Sequence, residues 1–164
     1  MAFAPTLADI HKLIGPELID KGFERRGNIY RKFATESVGL IDFQKSSSSS
    51  CSLLKFTVNI GVVLERLSLE DHFDPRRTKI CDAHVRRRLG YFFDEKTDIW
   101  WTLQSQNDSE EICATIADVL VQRAIPAISK YMNVQEVIDL WKGGCAPGLT
   151  EVELKRNLKI LENE

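Results

Sequence analysis

The alternation of apolar and more polar residues between positions 53 and 64 limits the fold more strongly than any other part of the chain. Every second residue from Leu54 to Leu64 is apolar, and residues such as Lys55 and Asn59 lie between them. A period of two is typical of a β-strand, because successive side chains point to opposite faces of the sheet. We therefore expect a strand here with one buried face and one more polar face.

Four further segments show a similar pattern, and we predict strands in them. They are residues 28–33, 38–45, 84–93 and 99–104. Most connections between successive strands are short, which favours antiparallel pairing, because parallel pairs need long crossovers. Apolar stripes at helical spacing predict helices near the N-terminus and through the C-terminal third. The predicted fold class is therefore α+β, with a mostly antiparallel sheet of about five strands and helices from the N- and C-terminal segments packed on one face.

The length of 164 residues and the 43% share of hydrophobic residues fit one domain with a substantial core. We assign residues 1–142 to a single α+β domain. A glycine-rich run then interrupts the helical pattern, so residues 143–164 are predicted to form a linker and a C-terminal helix. Thr150 and Glu153 have the spacing of a capping box at the start of that helix. The sequence leaves open whether this helix docks on its own domain.

Charge is distributed unevenly along a chain whose formal net charge is -2. Residues 75–96 contain seven basic and three acidic residues, whereas residues 107–164 contain ten acidic and six basic ones. Such a chain is not typical of a nucleic-acid coat protein, so a nucleic-acid partner is not expected. Only the basic middle segment favours an anionic partner, and a small anion stays open as a ligand.

The sequence also bears on location. The first residues lack the basic start and apolar run of a signal peptide. No stretch approaches the roughly 20 consecutive apolar residues of a membrane span. The four cysteines (Cys51, Cys81, Cys113 and Cys145) include no C-x-x-C pair and are expected to be reduced and mostly buried. We therefore expect a cytoplasmic protein that is not associated with a membrane.

Residues that carry chemistry in enzymes form no recognisable set. Cys81 and His84 make one weak pair of metal ligands by spacing, whereas a tetrahedral zinc site needs four ligands. Cys51 follows five serines, but no G-x-S-x-G nucleophile elbow and no phosphate-binding glycine loop occur. We therefore expect neither a metal nor a cofactor. An enzyme with an unrecognised site is the least favoured of three hypotheses.

Several segments taken together resemble the bacterial family catalogued as domain of unknown function 4304, over roughly residues 6–132 of this chain. The resemblance is carried by residues 21–31 (KGFERRGNIYR), 41–46 (IDFQKS), 56–62 (FTVNIGV), 81–90 (CDAHVRRRLG) and 98–101 (DIWW). It implies a fold but no reaction. Relatives in such small families look like cytoplasmic accessory proteins, and some act as immunity or partner-binding modules.

A polar face of the predicted sheet is the remaining candidate for a functional site. Its members are Gln44, Lys45, Asn59, His84, Arg86, Arg88 and Trp100. Arginine and tryptophan on rigid strands are typical of protein interfaces, so the leading hypothesis is a non-catalytic module that binds a protein partner. The alternative is that this face binds a small anion, a metabolite or a nucleic acid. It is also open that the arginines merely face solvent or pair with the acidic C-terminal helices.

Overall fold

The structure is a computed structural model that describes residues 3–163, so the outer ends of the expected domains at residues 1, 2 and 164 lie outside it. One antiparallel sheet contains all the strands of this part of the chain. These strands are Glu24–Arg26 (β1), Ile29–Phe33 (β2), Ser37–Lys45 (β3), Leu54–Leu64 (β4), Val85–Arg88 (β5) and Trp101–Leu103 (β6). Strands β1 to β4 pair in chain order, and β5 and β6 both pair with the other edge of β4.

Helices precede and follow the sheet, and the predicted α+β class with its antiparallel sheet is confirmed. The helices are Leu7–Asp20 (α1), Gln106–Val119 (α2), Ile125–Tyr131 (α3), Val134–Lys142 (α4) and Glu151–Glu162 (α5). Thr6 and Asp9 cap α1 reciprocally, and Thr150 and Glu153 do the same for α5, as their spacing predicts.

The first face of the sheet packs against the helices and forms the main core. Phe56 and Val58 of β4 are fully buried on this face, because they alternate with residues of the second face. They belong to one cluster with residues of all five helices, among them Ile14 of α1, Ile116 of α2 and Val137 of α4. The alternation that predicts β4 therefore also identifies the residues of the main core.

The second face is covered over part of its area. Residues 68–84, here the covering segment, place Phe73, Ile80 and Ala83 against a small apolar cluster of Val38, Leu40 and Val63. The close approach requires Gly61, where an added Cβ would lie 2.7 Å from Ile80 Cδ1. Arg31, which is 6% exposed, donates from Nε and Nη2 to the Thr78 carbonyl at 3.0 and 2.6 Å. This buried arginine therefore attaches the covering segment to β2.

Strands β5 and β6 are shorter than predicted. The chain leaves β5 at Arg88 and forms a 3-10 turn over Leu89–Phe92, so the predicted strand at 84–93 was too long. An added Cβ on Gly90 would lie 2.0 Å from the Thr97 carbonyl oxygen, so the returning chain passes directly over this turn. His84 and Trp100 consequently lie just outside the strands in which they were expected.

The helical run from Gln106 to Tyr131 continues through Pro126, although a proline inside a helix commonly ends or bends it. A π-helical turn over Leu120–Ala124 joins α2 to α3, and Pro126 falls in the first turn of α3, where a missing N–H costs least. By length and composition this run of 26 residues could cross a membrane. That is weak evidence, because a core helix passes the same test and Ile116, Leu120 and Ile128 are buried in the main core.

The C-terminal helix docks on its own chain. Leu161 of α5 is 4% exposed and belongs to the main core, and its carbonyl accepts a hydrogen bond from Arg66 Nη1 at 3.3 Å. An ion pair between Lys142 and Glu162 links α4 to α5. Residues 143–150 between these helices run past β5, where Gly148 lies against the Arg86 guanidinium.

Candidate functional site

The part of the second face outside the covering segment carries a continuous group of polar residues, here called the polar patch. Asp42 of β3, Asn59 of β4 and Arg88 of β5 are direct cross-strand neighbours, so their side chains share one face. Gln44 pairs with Thr57 in the same way. Lys55 lies two residues before Thr57 in β4, so its side chain points to the same face. The patch consists of Asp42, Gln44, Lys55, Thr57, Asn59, Arg88, Asp98 and Trp100.

Asn59 organises the acidic side of the patch. Its Nδ2 donates to Gln44 Oε1 at 3.0 Å and to Asp42 Oδ2 at 3.3 Å. Asn59 is only 8% exposed, whereas Gln44 is exposed. The buried amide of Asn59 therefore fixes the exposed amide of Gln44 through this hydrogen bond. Burial raises the pKa of Asp42, and the Asn59 hydrogen bond and the Arg31 charge oppose that shift.

Trp100 lies at the basic side of the patch beside two cations. The Arg88 guanidinium carbon is 4.9 Å from the centroid of the Trp100 ring, and Lys55 Nζ is 5.8 Å from it. Both distances fall within the range of a cation–π interaction. Asp98 Oδ1 approaches Arg88 Nη1 to 3.4 Å. That Nη1 is buried and makes no hydrogen bond within residues 3–163, so the guanidinium is incompletely satisfied.

The loop before β6 sets the position of Trp100. Thr57, which is fully buried, donates from Oγ1 to the Ile99 carbonyl at 2.8 Å. Gly90 permits the close passage of Thr97 and Ile99 over the turn that follows β5. Two separate contacts therefore hold the loop that carries Asp98 and Trp100.

The structure brings together four of the seven residues that the sequence nominated. Gln44, Asn59, Arg88 and Trp100 all belong to the polar patch. Lys45 does not, because it pairs with Phe56 and so shares the first face of the sheet. This corrects the prediction for Lys45, since alternation places neighbours such as Gln44 and Lys45 on opposite faces.

His84 and Arg86 line a different site. A cleft of about 400 Å³ separates the covering segment from residues 147–157, and both side chains contribute to its wall. His84 Nδ1 accepts a hydrogen bond from the Leu64 N–H at 3.0 Å, which fixes the imidazole. Arg86 and Arg88 share the second face of the sheet, as predicted, because Arg86 pairs with Gly61 and Arg88 pairs with Asn59. Arg86 and His84 line the cleft, however, and are not part of the polar patch.

Sequence reasoning missed four patch residues: Asp42, Lys55, Thr57 and Asp98. The alternation in β4 does indicate Lys55 and Thr57, because positions 55, 57 and 59 are spaced by two residues and so share one face. Asp98 lies in a loop, where no periodicity indicates the direction of a side chain. Within residues 3–163, no group of three or more histidine, cysteine and acidic side chains is arranged to hold a metal ion.

The expectation of mostly buried cysteines is wrong. Cys113 is buried, and its burial raises the pKa of the thiol to about 11. Cys145 is half-buried, and both Cys51 and Cys81 are exposed. All four are free thiols. Cys51 follows the serine loop and Cys81 lies on the covering segment, and neither position is enclosed by the core.

The free energy of unfolding is expected to fall as the pH drops below 6.5. Burial lowers the pKa of His84, and Arg156 adds to that, while the Leu67 backbone and Asp82 oppose it. Because the folded pKa lies below the unfolded value of 6.5, the unfolded chain binds more protons at mildly acid pH. The contribution of His84 to the free energy of unfolding is therefore fully present above the unfolded pKa of 6.5, and it is lost as the pH falls through the folded pKa.

The His84→Asn variant isolates this contribution, because its amide oxygen can still accept from the Leu64 N–H. Urea unfolding at about pH 5.5 and 7.5 should show a smaller pH difference in this variant than in the wild type. Burial lowers the pKa of His11 as well, so some dependence persists. His72→Asn is the control, since His72 is exposed, and equal pH differences in His84→Asn and wild type would contradict the prediction.

Comparison with known proteins yields one finding. A family model described as Domain of unknown function (DUF4304) matches residues 14–130. This span is more than half of the chain and includes all six strands, so it contains the whole polar patch. It ends before α4. No curated protein and no solved structure matches the chain.

Proposed function

Because this chain belongs to the DUF4304 family, whose description is a domain of unknown function, we propose its function from the geometry of the polar patch: it is a non-catalytic protein-binding module. The patch is formed by strands and one short loop. Strands hold side chains more rigidly than loops do, which favours a preorganised contact surface.

The position of Trp100 is the observation that carries this proposal. Its ring is half-buried and lies beside Arg88, the pair of residue types that most often dominates binding energy at protein interfaces. Thr57 and Gly90 hold the loop that positions it. A tryptophan fixed in this way loses little conformational entropy on binding, so more of its contact energy appears as affinity.

The charges of the patch indicate the chemistry of the partner. Asp98 faces Arg88, and Asp42 is engaged by Asn59. Lys55 lies over the Trp100 ring and forms no ion pair in the part of the chain that the structure describes. A partner that presents a carboxylate to Lys55, next to an apolar or aromatic side chain on Trp100, would complement the patch.

A toxin bound by an immunity protein would be one partner of this kind, and a toxin gene beside this one would support that version. The proposed location is the cytoplasm of a bacterial cell. Four free thiols suit its reducing conditions.

The test is native mass spectrometry of the tagged protein after cross-linking in its own cells and gentle purification. Wild type is compared with Trp100→Ala, Lys55→Glu and Lys45→Glu. The two lysines lie at adjacent strand ends but on opposite faces, so Lys45→Glu matches the charge change without touching the patch. We expect an added mass of many kilodaltons in wild type and Lys45→Glu. It should be at least about tenfold less abundant in Trp100→Ala and Lys55→Glu, the scale expected of an interface hot spot.

Two results would count against the proposal. A bare mass for the cross-linked wild type would argue against a protein partner. Equal capture by all four proteins would place the partner on another surface. An added mass of a few hundred daltons would instead favour the small-ligand alternative.

Binding of a small anion or nucleic acid by the patch itself has less support. Asp98 forms an ion pair with Arg88, so the one guanidinium of the patch is already engaged by a carboxylate, and Arg86 lies in the cleft instead. The balance of two acidic and two basic side chains is better suited to a protein surface of mixed charge.

A further inference from the structure

The cleft between the covering segment and residues 147–157 has the size of a ligand site. Its volume of about 400 Å³ lies within the range of about 300–1,000 Å³ found for small-molecule pockets. Its walls come from two parts of the chain that are distant in sequence. It shares no residue with the polar patch, so a ligand in the cleft would bind independently of the proposed protein partner.

The interior of the cleft is partly apolar. Leu67 is buried at its base, and Phe73 and Leu149 are half-buried in its walls. Val63, at the end of β4, completes this surface. Such a lining favours a ligand with an apolar body, because contact removes apolar area of both molecules from water.

Three guanidinium groups line the same cleft: Arg77, Arg86 and Arg156. None of them forms an ion pair within residues 3–163, although four other arginines of that part of the chain do. Arg156 Nη2 makes a long hydrogen bond of 3.5 Å with Oδ1 of its neighbour Asn157. The cleft therefore offers cations whose donors are still available.

Among residues 3–163, the acidic residues of the cleft form no ion pair with these cations. Asp74, Asp82 and Glu153 each accept a backbone N–H at the start of a helical turn, at distances of 2.8–3.0 Å. The caps lower the pKa of Glu153, and the Arg156 and Arg86 charges add to that, which places both guanidinium groups near this carboxylate. Glu70 is the remaining acid, and it is exposed at the wall.

We propose that the cleft binds a small organic oxyanion, with its apolar body against Leu67, Phe73 and Leu149 and its anionic end at Arg86 and Arg156. The fork of a guanidinium matches both carboxylate and phosphate oxygens. Either group would satisfy this chemistry.

The test uses the fluorescent dye anilinonaphthalene sulfonate, whose sulfonate stands in for the ligand's oxyanion and whose rings stand in for its apolar body. N-phenylnaphthylamine has the same rings without the anion. We expect the wild type to bind the sulfonate dye more tightly than the neutral one. We expect the Arg86→Gln, Arg156→Gln double variant to bind the sulfonate dye at least about tenfold more weakly, since this variant loses two charge-assisted contacts.

The matched control is the double variant Arg76→Gln, Arg87→Gln, which changes the net charge equally. Arg76 pairs with Glu24 outside the cleft, and Arg87 points to Cys145 on the other side of β5. This control should bind the dye as the wild type does. Both double variants should unfold at the wild-type temperature, because these four arginines are exposed.

The remaining outcomes decide against the proposal. No dye binding, equal affinity for the two dyes, or equal loss in both double variants would overturn it. Loss confined to the Arg76, Arg87 variant would also overturn it, because neither of these residues lines the cleft. Where the expected pattern is found, displacement by benzoate or by phenyl phosphate shows which oxyanion the cleft prefers.

Discussion

The Trp141→Ala variant is expected to lower the free energy of unfolding by about 3–5 kcal/mol, the range for removing a large buried aromatic side chain. Trp141 lies on α4 and is 2% exposed, and it belongs to the same core cluster as Phe56 of β4. The indole therefore joins the C-terminal part of the chain to the core of the sheet.

This variant also tests how far the cooperative unit extends, because the family match ends at residue 130. Urea unfolding followed by tryptophan fluorescence and by circular dichroism should show one transition for both proteins, at a lower midpoint in the variant. The control is Val152→Ala on α5, which is 77% exposed and should change stability by less than about 0.5 kcal/mol. A loss below about 1 kcal/mol for Trp141→Ala would mean that α4 packs loosely and that the core does not depend on it.

The sheet and its first face could be predicted because β4 alternates with a clear period. Phe56 and Val58 pack against the helices in the main core, and their apolar character at every second position shows this burial in the sequence. The second face could not be predicted in the same way. Gly61 and Val63 lie on this face, and their cover comes from a loop that has no periodicity.

The site was predicted in part for the same reason. Asn59 and Gln44 lie on long strands, where alternation indicates the face of each side chain. The same alternation excludes Lys45 from their face, because Lys45 directly follows Gln44. His84, Arg86 and Arg88 were grouped because they are spaced by two residues. The cleft that His84 and Arg86 line is formed with residues 147–157, and long-range packing of this kind leaves no local signal.

Helix boundaries followed their caps more closely than their breakers. Thr150 and Glu153 start α5 where the spacing predicts, since a cap depends only on residues within one turn. Pro126 did not end its helix, because the π-helical turn before it provides a start at which its missing N–H is tolerated. A proline thus indicates a position at which the backbone N–H is not needed, but it does not indicate where packing requires a helix to continue.

The Gly90→Ala variant is expected to abolish partner capture by the polar patch and to lower the free energy of unfolding by about 3 kcal/mol, the upper part of the usual range for overpacking. The added Cβ would lie 2.0 Å from the Thr97 carbonyl oxygen and 2.8 Å from the Ile99 amide nitrogen. Both are backbone atoms, so no side chain can rotate away and the loop itself has to move. That loop carries Trp100, whose ring then leaves Arg88.

Gly144→Ala separates the two effects. An added Cβ there meets no atom within 4 Å, but the φ angle of +89° is strained for alanine. We expect a loss of about 1–2 kcal/mol with unchanged partner capture. Unfolding curves give the stabilities, and the cross-linking assay used for Trp100→Ala gives the capture. If Gly90→Ala captured the partner as well as Gly144→Ala does, the position of Trp100 would not matter for binding. The contact surface would then have to lie away from the loop that contains Thr97 and Ile99.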